Sequence, residues 1–434
     1  MKFYSTNNST LESSFRESIM QGMPEDNGLY MPSFIPDISN IIVQDNRLTF
    51  KEISYIIASE FIGDELSKSD IHDIIENSIT FEAPNQKIYN NTFCLELFHG
   101  PTLAFKDFGA RFMARCMEKF IEFSNKEINI LVATSGDTGS AVANGFYNVK
   151  GINVIILYPK GKVSEIQEKQ LTTLDKNIYA LEVDGTFDDC QKLVKAAFLD
   201  KSLKNSIKLS SANSINIARL IPQSFYYVHS FLQLKNKDIP LIFSVPCGNF
   251  GNITAGLIAK KMGVPIHKFI ASTNLNDVIP NYLLSGNYIP KPSIQTISNA
   301  MDVGDPSNIV RINELYKDID AIRNVMKSWS FDEQSTKKMI LDTYKNYAYL
   351  LDPHSSVGLL GIKKYFKNSI DDNVNKIFLG TAHPCKFLDV IEPVIDGEIK
   401  IPDRLKETLL KQKKSVLINN NYNQFIDYLM TTFQ

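Results

Sequence analysis

The sequence is short of the residues and patterns that mark several large protein classes. Among 434 residues there is one tryptophan, six histidines and five cysteines, and 46 basic residues stand against 48 acidic ones, a formal net charge of −2. So balanced a charge gives no field for nucleic acid or an anionic membrane surface. The cysteines (Cys94, Cys116, Cys190, Cys247, Cys385) are odd in number, scattered and free of any C-x-x-C spacing. That argues against a disulfide framework or a zinc site and for a reducing cytoplasm. The histidines are isolated, with no H-E-x-x-H, so no metal is expected. No run approaches the ~20 apolar residues of a membrane span, and residues 1–8 lack the apolar core of a signal peptide. What remains is ordinary globular composition, 44% hydrophobic and 22% charged, in a chain long enough for two or three domains and the core of an enzyme.

The organisation is legible mainly from residue 128 onward. Residues 1–90 read as short helices and turns punctuated by Pro24, Pro32 and Pro36, with helical apolar spacing over 50–61. Then come short apolar runs: INILVA (128–133), NVIILY (153–158), NIYALEVDG (177–185), SIKLS (206–210), PLIFSV (240–245), HKFIAS (267–272) and KIFLG (376–380). Helical stretches of roughly 10–15 residues separate them, the rhythm of α/β units on a mainly parallel sheet. We expect two α/β domains with a cleft between them. Residues 281–375 are the least readable.

In open parallel sheets ligands bind at the carboxyl ends of strands, and three polar clusters fall there. Thr134-Ser135-Gly136-Asp137-Thr138-Gly139 follows INILVA. Its hydroxyls and amides can cap a helix or bind an anionic group of a substrate. Cys247-Gly248-Asn249-Phe250-Gly251-Asn252 follows PLIFSVP and opens a helix expected to end at Gly263. Glycines admit close backbone approach, and a helix start favours an anion, although a plain two-glycine turn would read the same. The loop lacks the Lys-Ser/Thr end of a P-loop, which disfavours a nucleoside triphosphate. Thr381-Ala382-His383-Pro384 follows KIFLG and offers a neutral hydroxyl, or simply a capped turn.

The stretch HGPTLAFKDFGARFM (99–113) sets Lys106 between Phe105 and Asp107. Phe108, Phe112, Cys116 and Phe120 then recur every four residues, a buried helical stripe, and Asp107 suits the helix N-terminus. Lys106 reads either as a first-turn lysine with a solvated head or as an amine in a dehydrated pocket. There its pKa falls, and the free amine attacks carbonyls. With a phosphate cradle nearby, the second reading suggests pyridoxal phosphate, whose aldehyde condenses with lysine.

Seven segments in order resemble the threonine synthases, pyridoxal-phosphate enzymes of the tryptophan-synthase β-like fold (fold type II): HGPTLAFKDFGARFM, ATSGDTGSA, LYPKGKVS, SANSINIARLIPQ, VPCGNFGNITAGLIAK, NAMDVGDPSN and LGTAHPCKF. The opening NGLYMPSFIP is similar to that family's N-terminal segment, so the resemblance runs essentially end to end. It implies a family-type N-terminal domain over 1–90, an α/β domain carrying the lysine and the SGDTG segment over 91–235, and an α/β domain carrying the phosphate loop and TAHP over 236–434. It implies conversion of O-phospho-L-homoserine and water to L-threonine and phosphate, in a cytoplasmic monomer or homodimer. Lys106 matches the catalytic Schiff-base lysine. Gly248, Asn249, Phe250, Gly251 and Asn252 match the loop around the cofactor phosphate, and Thr381 the residue near the pyridine nitrogen. Ser135, Asp137 and Thr138 match the substrate-facing segment, and Asn216 and Arg219 fall in the substrate pocket. Lys160 and Lys162 either attract the substrate phosphate or are a solvated pair. Cys247 stands where relatives often carry Ser and Cys385 where they often carry Ala, which implies a site sensitive to thiol reagents. Two rival readings stand beside this one: another fold-type-II lyase of the threonine dehydratase kind, and a cofactor-binding paralogue without activity.

Overall fold

In a computed structural model, residues 1–44, 47–121, 127–367 and 371–434 are described. Among the described residues there are fourteen strands: β1 (Lys2–Ser5), β2 (Glu12–Ser14), β3 (Tyr30–Pro32), β4 (Asn85–Tyr89), β5 (Thr92–Glu96), β6 (Ile128–Ala133), β7 (Ile152–Pro159), β8 (Ile178–Asp184), β9 (Leu209–Ser211), β10 (Leu241–Pro246), β11 (Ile266–Thr273), β12 (Met326–Ser330), β13 (Asn375–Gly380) and β14 (Val416–Asn419). They form three sheets, β2-β1-β3, β12-β11-β10-β13-β5-β4 and β14-β8-β7-β6-β9. The last is wholly parallel, and the six-stranded sheet is parallel except for β4. This is the expected α/β architecture of two mainly parallel sheets.

Every apolar run singled out above carries a strand, and β6, β10 and β13 are buried along their whole length. Strands covered on both faces read as continuous apolar runs, which is why they stand out. The N-terminal region departs from expectation. Beside its helices it holds the antiparallel sheet β2-β1-β3, whose strands of three or four residues are too short for a period of two to show. SIKLS is helical at Ser206 and contributes only its end to β9.

Sheet membership does not follow the three expected segments. The chain enters the six-stranded sheet with β4 and β5, leaves to build β6–β9, returns for β10–β13 and sends β14 back beside β8. The boundary at 90/91 therefore separates β4 from its antiparallel partner β5, and β5–β13 and β8–β14 pair across the boundary at 235/236; 1–90, 91–235 and 236–434 describe lengths of chain rather than separate sheets.

Three long helices pack on one another in the core. Lys106–Ile121 buries Phe108, Phe112, Cys116 and Phe120 at 2% exposure or less, as the four-residue spacing requires. Phe108 packs on Phe50, Phe81 and Tyr226, and Phe112 meets the Phe225 edge at 5.6 Å between centroids. Phe50 opens the helix Phe50–Ile62, capped by a Thr49–Glu52 capping box. Tyr226 and Phe225 lie on the almost wholly buried helix Ile217–Leu232. No helix among the described residues is long and apolar enough to cross a membrane.

Candidate active site

A cleft of about 770 Å³ opens at the carboxyl ends of β6, β10 and β13, where parallel sheets bind ligands. Lys106, Ser135, Asp137, Thr138, Arg219, Thr381 and residues 247–252 all line it. Residues more than 270 positions apart in sequence meet there because three strand ends converge.

Lys106 is the first residue of its helix. The turn before it is closed by Asp107, whose carboxylate accepts the Thr102 amide at 2.9 Å and the Thr102 hydroxyl at 2.6 Å. Gly100 makes room for this, since a Cβ there would stand 2.4 Å from the same carboxylate. Leu103 takes a left-handed φ of 60°. The loop is stitched to the end of β13: the Phe105 amide donates to the Thr381 carbonyl (2.9 Å) and the His383 amide to the Leu103 carbonyl (3.0 Å). The Lys106 amine thus emerges into the cleft, with Nζ 5.6 Å from the Phe105 ring centroid. Burial lowers its pKa to about 8; Asp137 opposes that shift, and Lys386 and Arg219 reinforce it.

Opposite lies the loop after β10. Phe250 adopts a left-handed φ of 60° as N-cap of the helix Gly251–Lys261, and no side chain caps that helix, so its first amides face the cleft without an intrachain acceptor. Gly248 is required by close packing: a Cβ would stand 2.7 Å from Met301 Cα and 2.9 Å from the Ala300 carbonyl oxygen. Asn252 accepts the Tyr226 hydroxyl at 2.7 Å and the Tyr227 hydroxyl at 2.8 Å on its Oδ1. Its Nδ2 is buried with no partner, a cost the fold carries unless a ligand accepts from it. Asn249 is different. Its side chain donates to Ser214 Oγ and accepts from the Ser307 amide (2.5 and 2.6 Å), so it braces the loop.

The first cluster is a helix start in which Thr134, rather than Ser135, does the capping. Its Oγ1 accepts the Gly136 and Gly139 amides at 2.9 Å each. Ser135 and Thr138 are left half-buried along the cleft. Asp137 is 4% exposed. Burial alone would raise its carboxyl, but Lys386 and Lys106, with a hydrogen bond from Gln167, hold it well below the usual carboxylate range.

Arg219 is 3% exposed, donates from Nη1 to the Ala212 carbonyl and leaves Nε buried without a partner. Burial lowers its pKa to about 10. Asn216 does not join the site. As N-cap of the helix Ile217–Leu232 it accepts the Ala218 amide and donates to the Ile19 and Ser211 carbonyls. It is fully buried away from the cleft, so its expected contact with substrate gives way to a capping role. Lys160 and Lys162 are exposed and line no part of the cleft, which favours the solvated pair. Cys247 is buried with its thiol pushed well up and donating to the Val245 carbonyl, and burial raises Cys385 to about 11. A thiol held protonated is a poor nucleophile at neutral pH, which weighs against the expected sensitivity to thiol reagents, although Cys247 lines the cleft.

Sequence reasoning missed Lys386, Gln167 and His354. Lys386 is within the segment TAHPCKF, but nothing in the pattern announces a buried lysine. His354 lines the cleft, accepts the Ala300 amide at 3.2 Å and pairs with Asp352. Thr6, Asn7, Met23 and Asn27 bring the N-terminal region to the cleft wall. Among the described residues no group of three or more His, Cys, Asp or Glu side chains is arranged to hold a metal.

Comparison with known proteins follows this geometry. A profile of the pyridoxal-phosphate dependent enzymes matches residues 78–378, one of the threonine synthase N terminus matches 2–79, and one of the threonine synthase C-terminal region matches 355–428. The threonine synthase of Buchnera aphidicola subsp. Acyrthosiphon pisum is 42% identical over 99% of both chains, and that of Escherichia coli K12 is 40% identical over 94% of both. The crystal structure of the Escherichia coli threonine synthase superposes with a TM-score of 0.92 at 39% identity, covering 99% of this chain and 100% of that one. A PLP-bound threonine synthase from Brucella melitensis gives 0.92 at 32% identity, covering 99% of each. A threonine deaminase from Solanum lycopersicum, at 16% identity and a TM-score of 0.55, shares the fold alone.

Proposed function

The chain belongs to the threonine synthases of the pyridoxal-phosphate-dependent enzyme family, and from that footing we propose that it forms L-threonine and phosphate from O-phospho-L-homoserine and water with Lys106 as the mobile base. The observation that carries the reading is one cleft with a lysine amine of lowered pKa on one wall and an uncapped, glycine-containing helix start on the other.

The residues fit the cofactor. The free amides at 250–253 and the tight turn at Gly248 suit its phosphate. The unpartnered Asn252 Nδ2 lacks only an acceptor, and Lys106 offers an amine to the aldehyde. When bound, pyridoxal phosphate supplies that aldehyde and an electron sink for the substrate's α-carbon. Thr381, which lines the cleft, would offer the cofactor ring a neutral hydroxyl and so would leave it less protonated than a carboxylate would. Ser135, Thr138 and Arg219 orient the substrate, Arg219 Nε being an unpaired buried donor for an anionic group.

Lys106 Nζ takes the proton from Cα and serves the later proton transfers at Cβ and Cγ; phosphate leaves from Cγ and water adds at Cβ. One base near three carbons asks for a long flexible stem, which lysine provides. The test is the visible spectrum of the purified protein, followed by product analysis. An aldehyde–lysine absorbance with equal release of phosphate and threonine from O-phosphohomoserine supports the reading. Release of an oxoacid from threonine instead would move the chain to the dehydratase reading.

A further inference from the structure

A lysine buried beside a catalytic lysine is hard to account for by stability alone. Lys386 is 1% exposed, and its Nζ stands 2.5 Å from Asp137 Oδ1 and 3.0 Å from the Thr102 carbonyl oxygen. It does not line the cleft, whereas Asp137 does. Its partners come from two other lengths of chain: Asp137 from the helix after β6, and Thr102 from the loop that sets Lys106. Gln167 Nε2 takes the same carboxylate oxygen at 2.9 Å. Asp137 Oδ1 is therefore held by two donors, Lys386 and Gln167, while Asp137 lines the cleft that Lys106 shares.

Deepening the reading above and resting on it, we propose that Lys386 is a positioning residue for the reaction: by fixing Asp137 from behind as an anion, it sets how readily the Lys106 amine gives up its proton. The charged groups facing Lys106 are Asp137, Lys386 and Arg219, and Asp107 lies behind, near Lys386 and Arg111. Asp137 stabilises the ammonium form of Lys106, while Lys386 and Arg219 oppose it. The device is a balance: a carboxylate close enough to hold a proton on Lys106, weakened by a second cation that claims the same carboxylate. Burying an ion pair seldom adds stability over an apolar pair of equal volume, so a role in tuning Lys106 gives a reason for this one.

The experiment reads the Lys106 titration in the cofactor-free protein, by competitive acetylation with acetic anhydride at graded pH and peptide mass spectrometry. In Lys386→Met the midpoint should rise by about one pH unit, since the competing cation is gone and Asp137 turns to Lys106. In Asp137→Asn it should fall by about as much, and in Lys386→Arg, which keeps the charge, it should stay near the native value. A merely structural role predicts no such opposition of sign. A Lys386→Met midpoint that is unmoved or lower, or an Asp137→Asn midpoint that rises, overturns the proposal. Removing one partner of a buried pair destabilises the fold, so Lys386→Gln, which can still donate to Thr102, replaces the Met variant if the latter does not fold. No substrate or cofactor enters this measurement. Failure of the proposed reaction would leave it readable, and failure here would leave the product assay standing.

Discussion

The two walls of the cleft solve opposite problems. Residues 247–252 present no charged side chain at all; what they offer are backbone amides, an uncapped helix start and one unpartnered carboxamide nitrogen. The wall around Lys106 is crowded with charge, with Asp137, Lys386 and Arg219 all buried within its electrostatic reach. An anion that stays put is held by fixed dipoles, which need no counter-ion and do not titrate. A base that must lose and regain a proton needs neighbours whose charges oppose one another.

That contrast breaks most completely at Lys106. Lys106→Ala should lower turnover at least ~10³-fold, the upper range for losing a general base and worse where the amine also bonds the cofactor. Its circular dichroism should stay close to native and its melting temperature should not fall, because the side chain points into the cleft. Product assays and thermal melts on the same sample check both halves. On the other wall, Gly248→Ala should weaken cofactor affinity by tenfold or more, read by fluorescence titration. The new methyl would sit 2.7 Å from Met301 Cα and 2.9 Å from the Ala300 oxygen, and backbone cannot step aside as a side chain can.

How much of this was legible before the structure follows the same division. The Thr134–Gly139 segment, the glycine loop and Thr381 stand at the ends of β6, β10 and β13, apolar runs that are buried throughout, and such strands advertise themselves. Phe108, Phe112, Cys116 and Phe120 gave the helix its buried face at the right spacing. The sheet β2-β1-β3 was not legible, because three-residue strands carry no period. Nor was β12, whose five residues Met326–Ser330 mix burial with exposure at the edge of a sheet. Asn216 misled because an asparagine that caps a helix and one that binds a ligand look alike in sequence. Lys386 was invisible for a different reason. A buried lysine is intelligible only through its partner, and Asp137 lies 249 positions earlier.

A smaller effect separates the roles of Asn252. In Asn252→Ala, Tyr226 and Tyr227 lose their shared acceptor; Tyr226 keeps only its longer bond to Gln223 Oε1 at 3.3 Å and the buried Tyr227 hydroxyl keeps none, which should cost about 1–3 kcal/mol in denaturant unfolding of the cofactor-free protein. Leu at the same place should cost as much or more. Asn252→Asp keeps an acceptor for both tyrosines and so should unfold near the native denaturant midpoint, yet bind cofactor more weakly, because it sets a carboxylate where an anion is held. If Asp and Ala lose affinity and stability in parallel, Asn252 serves only the tyrosines.

The pH dependence of stability sharpens the charged wall further. The Lys106 pKa in the folded chain, about 8, lies below its ordinary value of 10.5. Between those two values the unfolded chain binds the proton that the folded chain has released, so the Lys106 contribution to stability improves as pH rises through that window. Below pH 8 both states carry the proton, and the folded state bears the full cost of a crowded ammonium. Lys106→Met should therefore be more stable than the native cofactor-free protein at pH 7, and the advantage should shrink steadily as pH climbs from about 8 toward 10. Paired denaturant titrations at pH 7, 8.5 and 10 give the sign directly. A constant gap across that range would mean that the amine titrates as an exposed lysine does, and the charged wall would then have no hold on it.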